Sequence, residues 1–197
     1  MARRTPTLLL LVIALTRPAR AQWDLGIQLS TTHYRGSAHD TTSSGVENVR
    51  PGDAMMIGLR LDHPIGRVRF AVQAAYGKPG LSATGPGLTV TDKTSGQLFE
   101  GGALVNFRVV GIGSSGAIRA ELGPALHLWK SDDEVRTRVG GMGAAVYEWP
   151  VAERFTGTIR FEGMISKSWF DAVDLPPELE RQVTWRYGVS LGLRYRL

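Results

Sequence analysis

The sequence lacks three features that would each define a class of protein. It contains no cysteine, which excludes a disulfide framework and a lipid anchor on an N-terminal cysteine. No apolar run approaches the roughly 18 residues that a transmembrane helix needs, since the longest covers only residues 8–15. No basic cluster or RNA-binding signature is present, so nucleic acid is not an expected partner. Any membrane role must therefore rest on strands, because only helices and closed barrels satisfy backbone groups in lipid.

The N-terminus has the pattern of a secretory signal peptide. Arg3 and Arg4 precede the short apolar run, and Ala19 and Ala21 supply the small residues of a cleavage site. We therefore divide the chain into a signal peptide, residues 1–21, and one exported domain, residues 22–197, with an uncleaved anchor as the alternative. The signal segment holds four basic residues and no acid, so the exported part is nearly neutral although the whole chain carries +5.

Export is expected to cleave the chain between Ala21 and Gln22, because the small residues at positions 19 and 21 fit a signal peptidase site. N-terminal sequencing of the exported protein measures this directly. A mature N-terminus at Met1, or one well beyond Trp23, would contradict the assignment.

The exported domain shows the period-two alternation of β-strands in eight segments. The last segment is the clearest, since Trp185 to Leu197 places apolar and polar residues on opposite faces. The sixth, residues 140–149, is the weakest, with Tyr147 and Trp149 assigned outward. Pro124 interrupts the fifth segment and predicts a bulge or kink, or alternatively the end of that strand.

The connections alternate strictly between long and short. The long ones cover residues 35–53, 77–96, 130–139 and 170–182, and the second of them is rich in Gly, Thr and Ser, which indicates a flexible loop. With an even number of strands, both termini and all short turns then lie on one side. Outer-membrane barrels have this arrangement, with short periplasmic turns and longer extracellular loops.

The apolar face could point inward, as in a soluble lipocalin-type binder, or outward to lipid. Its almost complete lack of charge favours lipid, with Lys167 as the exception near a strand end. Aromatic residues also gather near the ends of this face, as in interfacial girdles: Trp23, Tyr76, Trp169, Trp185 and Tyr195. The predicted fold class is thus all-β, an eight-stranded antiparallel up-and-down transmembrane β-barrel preceded by a signal peptide, and the predicted location is the outer membrane.

An eight-stranded barrel has an interior just wide enough for side chains to fill it. The polar face therefore predicts a charge network in the lumen, in which the charges must pair or meet water. A stabilising plug is the favoured interpretation, and a path for protons or small ions is the alternative. The predicted members are Arg60, Arg69, Arg108, Arg119, Arg160, Arg186, Arg194, Glu100, Glu121 and Glu162, with Asp24 and Asp62 on the same face.

At its C-terminus the chain resembles the small OmpA/OmpX/OmpW-like outer-membrane barrels. Ser190, Gly192, Tyr195 and Leu197 match the polar, glycine, aromatic and terminal hydrophobic positions of the β-signal, although the family more often ends in an aromatic residue. The resemblance implies assembly by the barrel-assembly machinery. It also implies contact with outer-membrane lipid and lipopolysaccharide, and a monomer.

No catalytic, cofactor or metal site is expected. The deacylase barrels carry a His-x-Ser-Asn run, and His127 here is followed by Leu128 and Trp129 instead. His39-Asp40 and Asp132-Asp133 are interpreted as solvated loop residues, and His33 and His63 have no ligand partners at useful spacing. The sequence therefore predicts a non-enzymatic barrel that serves envelope integrity or surface binding. The alternative is a small-ligand barrel, either an OmpW-like conduit for apolar solutes or a secreted lipocalin-like binder.

Overall fold

The structure is a computed structural model that describes residues 23–40, 48–66, 68–85, 87–94, 96–113, 115–131, 134–171, 173, 175, 177 and 179–197. The predicted signal peptide with its cleavage site and the Asp132-Asp133 pair lie outside this part of the chain. Among the described residues, no helix is long and apolar enough to cross a membrane.

Eight antiparallel strands form a closed barrel, which confirms the predicted fold class. Numbered in chain order, the barrel strands are β1 (Asp24–Arg35), β4 (Ala54–Ile65), β5 (Val68–Gly77), β8 (Gln97–Ile112), β9 (Gly116–Ser131), β10 (Glu134–Ala152), β11 (Phe155–Ser166) and β13 (Thr184–Arg196). Each barrel strand pairs with the next one along the chain, and β1 closes the barrel by pairing with both β4 and β13.

The barrel is apolar outside and polar inside, so the inverted assignment of the two faces is correct. Outward residues such as Ile57, Val72 and Leu191 are 60–63% exposed in the isolated chain. Inward residues of the same strands are buried and largely polar, as Arg60, Gln73 and Ser190 illustrate. A water-soluble barrel would bury the first set, so this surface requires lipid around it.

The short connections and both termini lie at one end of the barrel. Gly66 and Gly113 turn the first two hairpins in the left-handed region, with φ of 63° and 59°. At the same end the Leu197 amide donates to the carbonyl of Trp23 at 2.8 Å. This end therefore corresponds to the periplasmic side of an outer-membrane barrel, and the long connections lie on the outer side.

The long connections are more ordered than the sequence predicts. They contain five further strands, which form a second sheet in the order β12-β2-β3-β6-β7. These strands are β2 (Ala38–Asp40), β3 (Asn48–Pro51), β6 (Leu81–Gly85), β7 (Leu88–Asp92) and β12 (Leu179–Arg181). The prediction of a flexible loop at residues 77–96 is therefore wrong, because β6 and β7 pair there as a hairpin. Likewise, residues 134–139 continue β10 above the barrel wall and pair with β9.

Pro124 neither ends β9 nor introduces a bulge. The register between β8 and β9 is the same on both sides of it, from Gly102↔Ala125 to Val105↔Leu122. Only the intervening ladder pairs are missing, because proline has no amide hydrogen to donate. Both predictions for this position, a kink or bulge and a strand end, are thus replaced by a local loss of pairing within a continuous strand.

Candidate functional site: a filled lumen and its outer cap

The lumen contains a balanced set of charges. Six guanidinium groups face six carboxylates, so the formal charge of the interior cancels. The arginines are Arg60, Arg69, Arg119, Arg160, Arg186 and Arg194, and the acids are Asp24, Asp62, Glu100, Glu121, Glu148 and Glu162. Buried charges are costly unless they are paired, and every one of these side chains has a partner of opposite charge within 4 Å.

Glu121 is the centre of the network. Arg60 donates to its two oxygens at 2.7 and 3.0 Å, and Arg160 donates to it at 2.8 Å. The amide of Asn106 donates to it at 2.5 Å. Arg60 also forms a two-bond pair with Asp62, both bonds at 2.9 Å. The carboxylate of Glu121 thus joins strands β4, β8, β9 and β11 across the barrel axis.

Toward the outer side, Arg186 continues the network. It donates to both oxygens of Glu100, at 2.5 and 3.0 Å, and lies 3.4 Å from Glu162. Nε2 of His127 lies 3.0 Å from Glu100. All four side chains are buried in the lumen, so the network reaches the outer half of the barrel without a gap.

Toward the periplasmic side, the carboxylate of Glu148 accepts hydrogen bonds from three arginines. Arg69, Arg119 and Arg194 donate to its two oxygens at 3.0, 2.9 and 2.8 Å. Arg119 also donates to the Asn106 side chain at 2.8 Å, which links this group to Glu121. A connected polar network therefore fills the barrel from one end to the other.

An apolar cap closes the outer end of the lumen. It consists of Tyr34, Met56, Leu98, Trp129 and Trp169, all nearly inaccessible to solvent. The Trp169 ring packs edge-on against Trp129 and Tyr34, with centroids 4.7 and 5.5 Å apart, and stacks on His127. Arg138 holds the backbone of this segment by donating to the carbonyl of Ser168 at 2.7 Å.

The prediction that Trp169 belongs to the outward aromatic girdle is wrong, since its side chain is only 1% exposed. The residue lies beyond the end of β11, where the alternation of a strand no longer fixes the direction of a side chain. The other predicted girdle residues, Trp23, Tyr76, Trp185 and Tyr195, remain partly or fully exposed on the outer wall.

The lumen is closed at its centre. The cavity at the level of Glu121, bordered by Gln28, Arg60 and Thr158, measures about 10 Å³. A cavity needs about this volume to hold a single water molecule. A larger cavity of about 300 Å³, lined by Arg69 and Glu148, opens at the periplasmic mouth, so the aqueous space ends there below the level of Glu121.

Nine of the ten predicted lumen residues lie in or beside this network, and Arg108 does not. Its side chain is exposed at the periplasmic mouth, where the pairing of β8 shifts between Arg108 and Val110. Sequence reasoning also missed Glu148, whereas Gln28 and Asn106 lie on the polar faces predicted for their strands. Glu148 could have been found, because it lies between Tyr147 and Trp149, two residues assigned outward in the same strand.

The four residues of the predicted assembly signal lie on β13 and just after it. Ser190 faces the lumen and is buried, whereas Leu197 is exposed at the barrel end. Gly192 faces inward, where a Cβ atom would lie 2.6 Å from the hydroxyl oxygen of Thr158. Glycine is thus required at this position by crowding inside the barrel, in addition to any role in assembly.

The candidate acid and base residues that the structure describes, on β2 and around Asp53, do not form a catalytic arrangement. His39 is exposed and bonds Asn48 at 3.0 Å, whereas its neighbour Asp40 is buried on the other face of β2. His33 bonds Asp53 at 2.9 Å, and Arg50 bonds the same carboxylate at 2.9 Å. Partial burial opposes ionisation of Asp53, but the bonds from His33 and Arg50 outweigh it and lower the pKa of this carboxyl. The described residues include no group of three or more potential metal ligands.

No protein-family model and no curated protein matches the sequence. Solved structures do match. Neisserial surface protein A is 13% identical, with 88% of this chain and 97% of that chain covered and a TM-score of 0.55. Ail, the attachment invasion locus protein of Yersinia pestis, is 10% identical over 89% of this chain and 99% of that chain, with a TM-score of 0.44. AlkL, an outer membrane protein solved in lipid bilayers, is 11% identical over 90% of both chains, with a TM-score of 0.48.

At this level of identity the likeness to Neisserial surface protein A shows the fold. Together with the apolar exterior and polar interior, it defines the class: the chain is a small eight-stranded outer-membrane β-barrel protein, located in the outer membrane.

Proposed function

We propose that this protein is a non-enzymatic, non-conducting outer-membrane barrel that serves envelope integrity or surface binding through its outer sheet. The observation that carries the proposal is the filled lumen, with a neutral network below and an aromatic cap above. Arginine side chains do not release their protons at physiological pH, so a network built on them is also a poor proton relay. The small-ligand conduit that the sequence left open would need an opening through the cap of Tyr34, Trp129 and Trp169.

The outer sheet supports the binding part of this proposal because it joins three long connections into one body. Ser37 is the junction: its carbonyl accepts bonds from the Gln182 amide at 2.9 Å and the Ser168 hydroxyl at 2.7 Å. Its own hydroxyl lies 2.5 Å from that of Thr184. Ser37 has φ of 92°, a strained conformation for a residue with a side chain. Such a conformation persists only where the surroundings fix it, as the bonds to Gln182, Ser168 and Thr184 do here. The junction therefore joins these connections into one surface that could receive a partner.

The closed lumen is tested by electrical recording in planar lipid bilayers. The unmodified protein is expected to give no steady conductance above that of the bilayer, because the lumen at the level of Glu121 has room for about one water molecule. Heat-modifiable gel mobility of the same preparation serves as the control that folded barrels are present. A large, steady ionic conductance would overturn the proposal and assign a pore function.

A further inference from the structure

The lipid-facing wall has a groove whose floor is made of glycine. Gly141 and Gly143 on β10 and Gly163 on β11 are neighbours in the pairing, with Gly143 directly opposite Gly163. Leu122 and Trp185 border this floor, and the groove has a volume of about 410 Å³. Its lining is almost entirely apolar, so it is shaped for a hydrocarbon chain rather than for a polar molecule.

Local packing does not explain two of these glycines. A Cβ atom added at Gly141 or Gly163 would meet no heavy atom within 4 Å. Neither residue has a positive φ. Glycine inside a strand is less favourable than alanine, because it loses more backbone freedom on folding. At Gly141 and Gly163, which are neighbours on adjacent strands, it leaves the outward wall without side chains and so forms the groove.

A cationic pocket lies directly above the groove on the outer side. It has a volume of about 710 Å³, and Val139, Lys167 and Val183 are part of its lining. Val139 lies two residues before Gly141, Lys167 two residues after Ile165, and Val183 two residues before Trp185. Val139 shares the outward face of β10 with Gly141, because residues two apart along a strand point to the same side. Lys167 and Val183 directly follow and precede Ser166 and Thr184, the last pair of β11 and β13, and both are exposed. The groove and the pocket are therefore neighbours at the outer edge of the same three strands.

The described lining of the pocket has more positive than negative side chains. Arg138, Lys167 and Arg181 belong to it together with one described acid, Asp171, which accepts a bond from Arg138 at 2.9 Å. Lys167 and Arg181 are exposed and make no ion pair within the described part of the chain. Two cations are thus available at the level where an outer-leaflet lipid places its headgroup.

We propose that the glycine groove and the cationic pocket form one binding site for a phosphate-bearing lipid of the outer leaflet. An acyl chain lies in the groove over Gly141 and Gly163, and a phosphate group contacts Lys167 and Arg181. Ammonium and guanidinium groups form strong charge-assisted bonds with phosphate. The acyl chain gains van der Waals packing against the glycine backbone, which small residues let it approach closely. This site requires neither the closed lumen nor a partner on the outer sheet, so it stands apart from the function proposed above.

The test uses the full exported chain folded in a zwitterionic detergent and titrated with lipopolysaccharide, with bound lipid counted by native mass spectrometry. The unmodified protein is expected to retain one lipid. Gly163→Leu fills the groove, and Lys167→Gln with Arg181→Gln removes both cations. Each change is expected to weaken binding about tenfold or more, as the loss of one charge-assisted contact or of the chain's groove would.

Two matched controls keep the test specific. Gly101 also faces outward with open space around its missing Cβ, but it lies on β8 away from the groove, so Gly101→Leu is expected to leave binding unchanged. The double change Lys93→Gln and Lys130→Gln removes two exposed cations outside the pocket and is expected to have no effect either. Gel mobility before and after heating confirms that every variant is folded.

Further arms separate the sources of the signal. Phosphatidylcholine, which carries acyl chains without net charge, and inorganic phosphate, which has no chain, are both expected to bind far more weakly than lipopolysaccharide. Equal binding of either one would overturn the combined site. Unchanged lipid binding in Gly163→Leu would also overturn it. A dimer of the unmodified protein that Gly163→Leu abolishes would instead assign the groove to a contact between two copies of the chain.

Discussion

Replacing Leu191 by arginine is expected to lower the free energy of unfolding in lipid vesicles by about 2–4 kcal/mol, the cost of arginine near the midplane of a membrane barrel. Leu191 lies midway along β13, 60% exposed on the outer wall, and it is paired between Leu29 and Ile159. The charged group would have to remain in hydrocarbon or distort the bilayer around it. Urea unfolding of the barrel reconstituted in vesicles measures the effect.

Leu88 provides a matched control, because it is a leucine of similar exposure outside the barrel. It lies on β7 of the outer sheet and is 65% exposed. Leu88→Arg should change stability by no more than about 0.5 kcal/mol, as is usual for an exposed surface position in water. Equal tolerance of arginine at Leu88 and Leu191 would mean that the outer wall does not face lipid.

The same comparison shows where the sequence alone would mislead. Alternation makes the neighbouring Ser190 the natural control for Leu191, since it faces the lumen rather than lipid. In the structure Ser190 is 1% exposed and lies opposite Arg160 on β11. A further arginine there would enter a packed, charge-balanced interior and would itself destabilise the barrel. The alternation predicts whether a side chain points to lipid or to the lumen, but it does not predict how tightly the lumen is packed around it.

The barrel strands were predictable because lipid imposes a strong pattern on them. Outside the membrane this long alternation of apolar and polar residues stops. All five residues of β7 are exposed, so neither face of this strand is buried. The alternation Leu-Thr-Val-Thr at residues 88–91 is too short to distinguish it from the Gly-, Thr- and Ser-rich connection around it. In the same way, the first residues of β10 lie above the membrane and are mostly charged or polar apart from two valines. The sequence there was therefore interpreted as a loop. Trp169 was misplaced for a related reason: its position depends on Arg138 from another strand.

The sequence predicted which kinds of residue line the lumen, but it did not predict which of them contact each other. Arginine and glutamate on the inward face predicted a plug of ion pairs. The pairing itself depends on the register around the whole barrel, which joins Arg60 to Glu121 across 61 residues of sequence and Arg186 to Glu100 across 86. No local sequence pattern contains that information, because the sequence alone would allow either acid to pair with any of several arginines.

Replacing Glu121 by alanine is expected to destabilise the protein by about 3–5 kcal/mol, the usual cost of removing one partner from a buried ion pair. Its carboxylate is the acceptor shared by Arg60, Arg160 and Asn106, and all of these groups are buried. Without it, the interior carries an excess positive charge and a cavity in place of the side chain. Chemical unfolding in vesicles measures the loss.

Glu134 gives the comparison that isolates burial. It also pairs with an arginine, Arg136, but its side chain is 66% exposed above the barrel. Glu134→Ala should therefore cost about 0.2–1 kcal/mol, as exposed ion pairs do. If Glu121→Ala costs no more than this, water reaches the lumen and the network is solvated. Adding Arg160→Met to Glu121→Ala removes a partner cation together with the acid, so the double variant should lose less than the sum of the single losses.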